Sequence, residues 1–162
     1  MNLNRFLQIT RVKQSEFLLF GYKVFSYFKT SNHKNLLLLG IPRVANLLLV
    51  FLYIFKFGFL NLRKKRYFVR LAQYLVGTFS IDEKQNSIQI YSLTINPKWR
   101  ERGIATYVLK YIETQAINTN RSYLELSVHK TNTLALKFYY NFGFTKIKEN
   151  RWFFILRKSI KK

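Results

Sequence analysis

No cysteine occurs in the 162 residues, so the chain can build neither a disulfide, nor a thiol nucleophile, nor a zinc–thiolate site. That absence fits a reducing compartment. Proline and glycine are sparse, at 2 and 6, and no repeat or linker-like stretch is present. The length suits one domain, residues 1–162, large enough to bury a core. Acidic side chains are the scarcest class with chemical weight: 7 stand against 28 basic ones, a net charge of +21. So few carboxylates leave little with which to bind a cationic ligand. The basic excess points instead to polyanionic partners: nucleic acid, ribosome, anionic membrane or a phosphorylated ligand. It does not form a tail, since 12 basic residues and one acidic residue lie up to Arg66 and 16 and 6 follow it.

What is present is apolar patterning that changes period along the chain. Phe6–Val12 alternates and predicts a first strand, and Ser15 caps a helix carrying Phe17, Leu18, Tyr22, Phe25 and Phe28. After the polar break Ser31–Asn35 comes an apolar segment, 36–62, whose run from Leu47 to Phe55 is unbroken and which Arg63–Arg66 closes. Three readings of it stay open: a buried second helix, a helix in a membrane interface, and a single span, for which roughly 20 apolar residues are needed. Strands are expected over Tyr67–Ala72, Tyr74–Ile81 and Ser87–Ile95, with Asp82–Asn86 as a polar turn. A helix over Ile104–Asn118 puts Ala105, Val108, Leu109, Ile112 and Ala116 on one face. Leu124, Leu126 and Val128 alternate with Glu125, Ser127 and His129 in a further strand. Thr131 then caps a helix with Leu134, Ala135, Phe138 and Phe142 on its apolar side, Gly143 ends it, and Phe144–Lys148 and Trp152–Arg157 form a hairpin.

The segment Ile95-Asn-Pro-Lys-Trp-Arg100-Glu-Arg-Gly103-Ile-Ala105-Thr106 carries the most chemistry. A strand passes through a basic glycine turn into a helix, whose first N–H groups and dipole make an anion site. Its pattern Arg-x-x-Gly-x-Ala resembles the pyrophosphate loop of the GNAT superfamily of N-acetyltransferases. The segment from Asn132 through Ala135 and Tyr139 to Gly143-Phe144 resembles that family's second signature, Asn-x-x-Ala-x-x-x-Tyr-x-x-x-Gly-Phe, at all five positions.

The resemblance implies an α/β fold with a central twisted mixed sheet flanked by helices. It implies acetyl-CoA as co-substrate, without a metal, and direct attack of an amine on the thioester. The N–H groups around Arg102, Gly103, Ile104, Ala105 and Thr106 would then face the pyrophosphate, with Arg100 and Arg102 adding charge. Leu93, Thr94 and Ile95 would offer main-chain bonds to the pantetheine arm, one of them polarising the thioester carbonyl. Asn132 would bond the same arm, and Tyr139 would give a proton to the departing thiolate. One branch, acetylating ribosomal-protein amino termini, places a glutamate where this chain has Ser127. Glu125 and His129 lie on the same strand face and are the remaining candidate bases.

The acceptor, a small-molecule or protein amine, is expected near Ser31–Leu62 and the final hairpin. A cytoplasmic location is expected, with membrane or ribosome association left open. The rival expectation is an inactive protein of the same fold that binds an anionic membrane surface or nucleic acid through interleaved basic and aromatic residues.

Overall fold

A computed structural model of the chain describes residues 6–13, 16 and 64–160. The expected helix capped by Ser15 and the apolar segment 36–62 lie outside the described residues. Seven strands form one sheet in the order β1-β2-β3-β4-β5-β7-β6. They are β1 (Leu7–Arg11), β2 (Lys65–Leu71), β3 (Tyr74–Glu83), β4 (Ser87–Ile95), β5 (Tyr123–His129), β6 (Thr145–Glu149) and β7 (Phe153–Ser159). The helices among the described residues are α1 (Ile104–Asn118) and α2 (Thr133–Asn141). β1 pairs antiparallel with β2, β4 parallel with β5, and β7 antiparallel with both β5 and β6.

The chain packs as two compact units. Of the described residues, those up to Ser80 with Ser92–Ile104 make one, and Ile81–Tyr91 with Ala105–Ile160 the other. In the first, Tyr67 stacks on Phe79 with ring centroids 4.8 Å apart, and Val12, Phe68 and Leu75 pack together. Gly77 is required here. A Cβ on it would stand 2.7 Å from Ile95 Cδ1 and 2.9 Å from the Thr94 carbonyl oxygen. The isoleucine tip can yield, but a strand carbonyl cannot without moving the backbone. Gly77→Ala is therefore expected to cost about 1–3 kcal/mol, as overpacking does, read as a lowered denaturant midpoint at unchanged slope.

In the second unit α1 buries Val108, Leu109, Ile112 and Ala116 completely, each larger side chain worth roughly 1.5–3 kcal/mol. Leu124, Leu126 and Val128 fill the same core from β5, while Glu125, Ser127 and His129 occupy its other face, as the alternation predicts. The end of α2 is closed by a glycine turn. Gly143 takes φ +93°, its N–H donates to the Tyr140 carbonyl, and the Phe144 N–H donates to the Tyr139 carbonyl. Lys158 Nζ donates to the Phe142 carbonyl at 2.8 Å and pairs with Glu113, placing a cation at the negative end of α2.

Several expectations need correction. β3 runs on through Asp82 and Glu83, because Asp82 is buried and paired with Lys84 instead of lying in a turn. Ala72 belongs to the two-residue turn after β2, at φ +50°. Ala105 is only half-buried, and Ile104 holds the buried place at the start of α1. Asn132, not Thr131, caps α2, because the Thr131 hydroxyl is engaged by His129. Leu134 is 84% exposed and Leu136 is the buried residue of α2. Phe144 is a core residue ahead of β6, and the hairpin strands are β6 and β7 as bounded above.

Candidate active site

One group of candidate residues is the end of β4 and the turn after it. The parallel ladder between β4 and β5 covers Ser87–Ile90 and Tyr123–Leu126. Two residues beyond it Ser92 takes φ +51°, a conformation that L-residues adopt at a cost of roughly 1–2 kcal/mol. The Thr94 hydroxyl donates to the Ser92 carbonyl at 3.0 Å. Such a kink in mid-strand re-aims the backbone of Leu93, Thr94 and Ile95.

At the strand end Asn96 Oδ1 accepts from the Lys98 N–H and starts a 3-10 turn, Pro97–Trp99. Arg100 Nε donates to the Ile95 carbonyl at 3.1 Å, and the Arg102 guanidinium lies over the Trp99 ring at 5.3 Å. Both arginines are thus tied beside the turn. Glu101 and Gly103 have φ of +60° and +76°, and a Cβ on Gly103 would meet nothing within 4 Å. Ile104 is buried and opens α1, whose first turn holds no acidic residue. The positive helix end is therefore uncompensated from within the helix, next to an open glycine and two guanidinium groups. That arrangement suits a phosphate group.

The other group of candidate residues, in the second unit, is the end of β5 with α2. Asn132 Oδ1 accepts the Ala135 N–H at 3.2 Å and anchors the helix start. Tyr139 lies between Phe138 and Phe144, with ring centroids 5.3 Å and 5.6 Å away. The residue keeps some exposure, yet burial of its phenol pushes the pKa up to about 12. It stays protonated throughout the neutral range, able to donate a hydrogen bond.

Each candidate base has a partner. Glu125 Oε1 accepts from Arg157 Nε at 2.8 Å and lies 2.7 Å from Arg157 Nη2. His129 Nδ1 lies 2.8 Å from the Thr131 hydroxyl and accepts the Thr131 backbone N–H at 3.3 Å. A backbone N–H can only donate, so in the neutral ring the proton sits on Nε2 and the lone pair is already used. We expect His129→Gln to lower kcat by less than about tenfold, below the 100-fold or more of a general base, in steady-state kinetics.

Sequence reasoning missed the two aromatic rings packed against His129. Its ring stacks on Trp152 at 6.4 Å and meets Phe153 edge-on at 5.2 Å. The one available sign was Asn150, a residue type that folds its side chain back on following N–H groups in turns. Among the described residues no cluster of His, Asp or Glu could hold a metal ion, and no helix is long and apolar enough to cross a membrane.

Residues 59–154, more than half of the chain, match the family profile described as an acetyltransferase (GNAT) domain. Over 75 residues the chain is 28% identical to the N-terminal acetyltransferase B complex catalytic subunit naa20 of Schizosaccharomyces pombe. That match covers 46% of this chain and 42% of the relative, so it spans less than half the length of that curated protein. Among solved structures, the chain resembles the PaiA N-acetyltransferase of Thermoplasma acidophilum in complex with coenzyme A. The TM-score is 0.77 at 16% identity, covering 94% of this chain and 98% of that one. For the ribosomal-protein-S18-alanine N-acetyltransferase of Escherichia coli the TM-score is 0.69 at 12% identity, covering 96% and 95%. At such identities the likeness speaks for a shared fold.

Proposed function

The chain belongs to the GNAT acetyltransferase family, and on that premise we propose that it transfers an acetyl group from acetyl-CoA to an amine by direct attack in a ternary complex. The observation that carries this reading is the turn into α1: an open Gly103 at φ +76°, no acid in the first helical turn, and Arg100 and Arg102 beside it. In this reading the N–H groups of Arg102 to Thr106 hold the pyrophosphate. The backbone of Leu93, Thr94 and Ile95, released from the ladder past Ile90, bonds the pantetheine arm, and Asn132 is assigned a bond to the same arm. Residues 1–162 act as one catalytic domain.

The chemistry needs one proton moved. The amine nitrogen forms a bond to the acetyl carbon, the carbon–sulfur bond breaks, and the proton that nitrogen loses ends on sulfur. Tyr139 stands for the group next to sulfur. With its pKa near 12 it is a weaker acid than a thiol near 8.5, so full transfer is uphill by about 5 kcal/mol. Its part is then to donate a hydrogen bond as charge develops and to pass its proton on only as it receives another. With Glu125 paired to Arg157 and His129 held by Thr131, the amine loses its proton to water or arrives neutral. The reading carries a cytoplasmic location, where acetyl-CoA is at hand, and the +21 charge supports contact with ribosome or anionic membrane. Titration calorimetry of acetyl-CoA into the protein tests it: saturable binding is expected, and its absence contradicts the reading.

A further inference from the structure

Seven carboxylates serve the whole chain, and residues 17–63 contain none of them. Five are held in ion pairs: Glu16 by Arg70, Asp82 by Lys84, Glu113 by Lys158, Glu125 by Arg157, and Glu149 by Lys130 and Lys146. Glu83 is engaged as well, and Glu101 stands between Arg100 and Arg102 in the turn assigned to phosphate. Wherever an acceptor lies, residues 17–63 included, no spare carboxylate outside that turn can receive an ammonium group.

Cations show the opposite balance. Ligands of open α/β sheets gather at the carboxyl ends of the parallel strands, and at the end of β5 the β6–β7 turn is fastened down. The N–H groups of Trp152 and Phe153 donate to Asn150 Oδ1 at 2.9 and 2.8 Å, and the Lys130 N–H donates to the Trp152 carbonyl at 2.9 Å. Trp152, 55% exposed, is therefore presented by a rigid turn with His129 stacked beneath it. Arg151 lies over its ring at 4.8 Å. Lys148, on the same face as Ile155, and Arg151 are exposed and have no carboxylate partner among the described residues. Arg151 over Trp152 and Lys148 opposite Ile155 are thus two cations without a carboxylate partner near the strand end that leads into α2.

We infer that the acceptor is an amine with a carboxylate or phosphate close to its nitrogen, held by Lys148 and Arg151 beside Trp152 and His129. Polyamines and lysine-rich peptides are poor acceptors for the same reason. This rests on the acetyl-transfer reading above and narrows it.

The test compares kcat/KM for three probes: an acidic peptide amino terminus, phosphoethanolamine and spermidine. At least one anionic amine should exceed spermidine by about tenfold or more. The double change Lys148→Glu/Arg151→Glu should remove that preference, because each exposed contact is worth up to a few-fold and reversal turns attraction into repulsion. Acetyl-CoA affinity should be unchanged in that variant, showing that it folds. Whichever anionic probe carries the preference identifies the source, peptide or small molecule. Spermidine as the best acceptor, a preference untouched by charge reversal, or acetyl-CoA binding with neither anionic amine acetylated would each overturn the inference alone. Absent acetyl-CoA binding would overturn the reading beneath it.

Discussion

Gly103→Asp is expected to abolish acetyl-CoA binding. A Cβ on Gly103 would have no atom of the described residues within 4 Å, so the backbone at this position leaves room for a side chain. In the proposed reading, what the aspartate meets is the pyrophosphate. Two unit charges about 4 Å apart near a protein surface repel by about 4 kcal/mol, on the order of 1,000-fold in Kd. Gly103→Asn is the control. Asparagine has nearly the same shape and tolerates positive φ comparably, so it separates charge from backbone strain. Calorimetry should find weak or no binding for the aspartate and measurable binding for the asparagine. Equal affinity in the two variants would remove phosphate from this turn.

Tyr139→Phe has the next largest expected effect, on turnover. The change keeps the ring that packs against Phe138 and Phe144, so fold and CoA affinity should persist. It removes the hydroxyl that the proposed mechanism sets beside the leaving sulfur, and a positioned proton donor contributes about 100- to 10,000-fold. A pH profile adds an independent check. A phenol near pKa 12 stays protonated as pH rises from 6 to 10, so wild-type kcat/KM should climb as the amine deprotonates, with no falling limb from Tyr139 in that range. Turnover within threefold of wild type, with chemistry shown to be rate-limiting, would return Tyr139 to a packing role.

Much of the fold was legible because apolar period and turn chemistry agree there. Ser87–Ile95 and Ile104–Asn118 have the bounds expected from alternation, from the basic glycine turn and from helical spacing. The glycine that closes α2 was equally readable, since only a residue free at positive φ suits the turn that ties Phe144 to Tyr139. Misreadings arose where tertiary partners overrule local character. Asp82 reads as a turn residue although β3 carries it into a buried position, and Leu134 reads as core until α2 turns it to solvent.

The kink at Ser92 had no sign at all, because serine gives no warning of positive φ in mid-strand. At the site, one face of β5 could be seen to carry Glu125, Ser127 and His129. Their availability could not, because Arg157 arrives from β7, 32 residues away in sequence, and binds the carboxylate. Thr131 likewise reaches back to His129 through a turn whose shape depends on where α2 begins.

Isotope-labelled acetyl-CoA incubated with the purified protein and the anionic amines bears most directly on acetyl transfer. Free CoA thiol and N-acetylated amine, followed together by thiol titration and mass spectrometry, should appear in equal amounts and at a rate set by protein concentration. Bound acetyl-CoA that yields neither product with any amine, cationic ones included, would contradict catalysis by this chain.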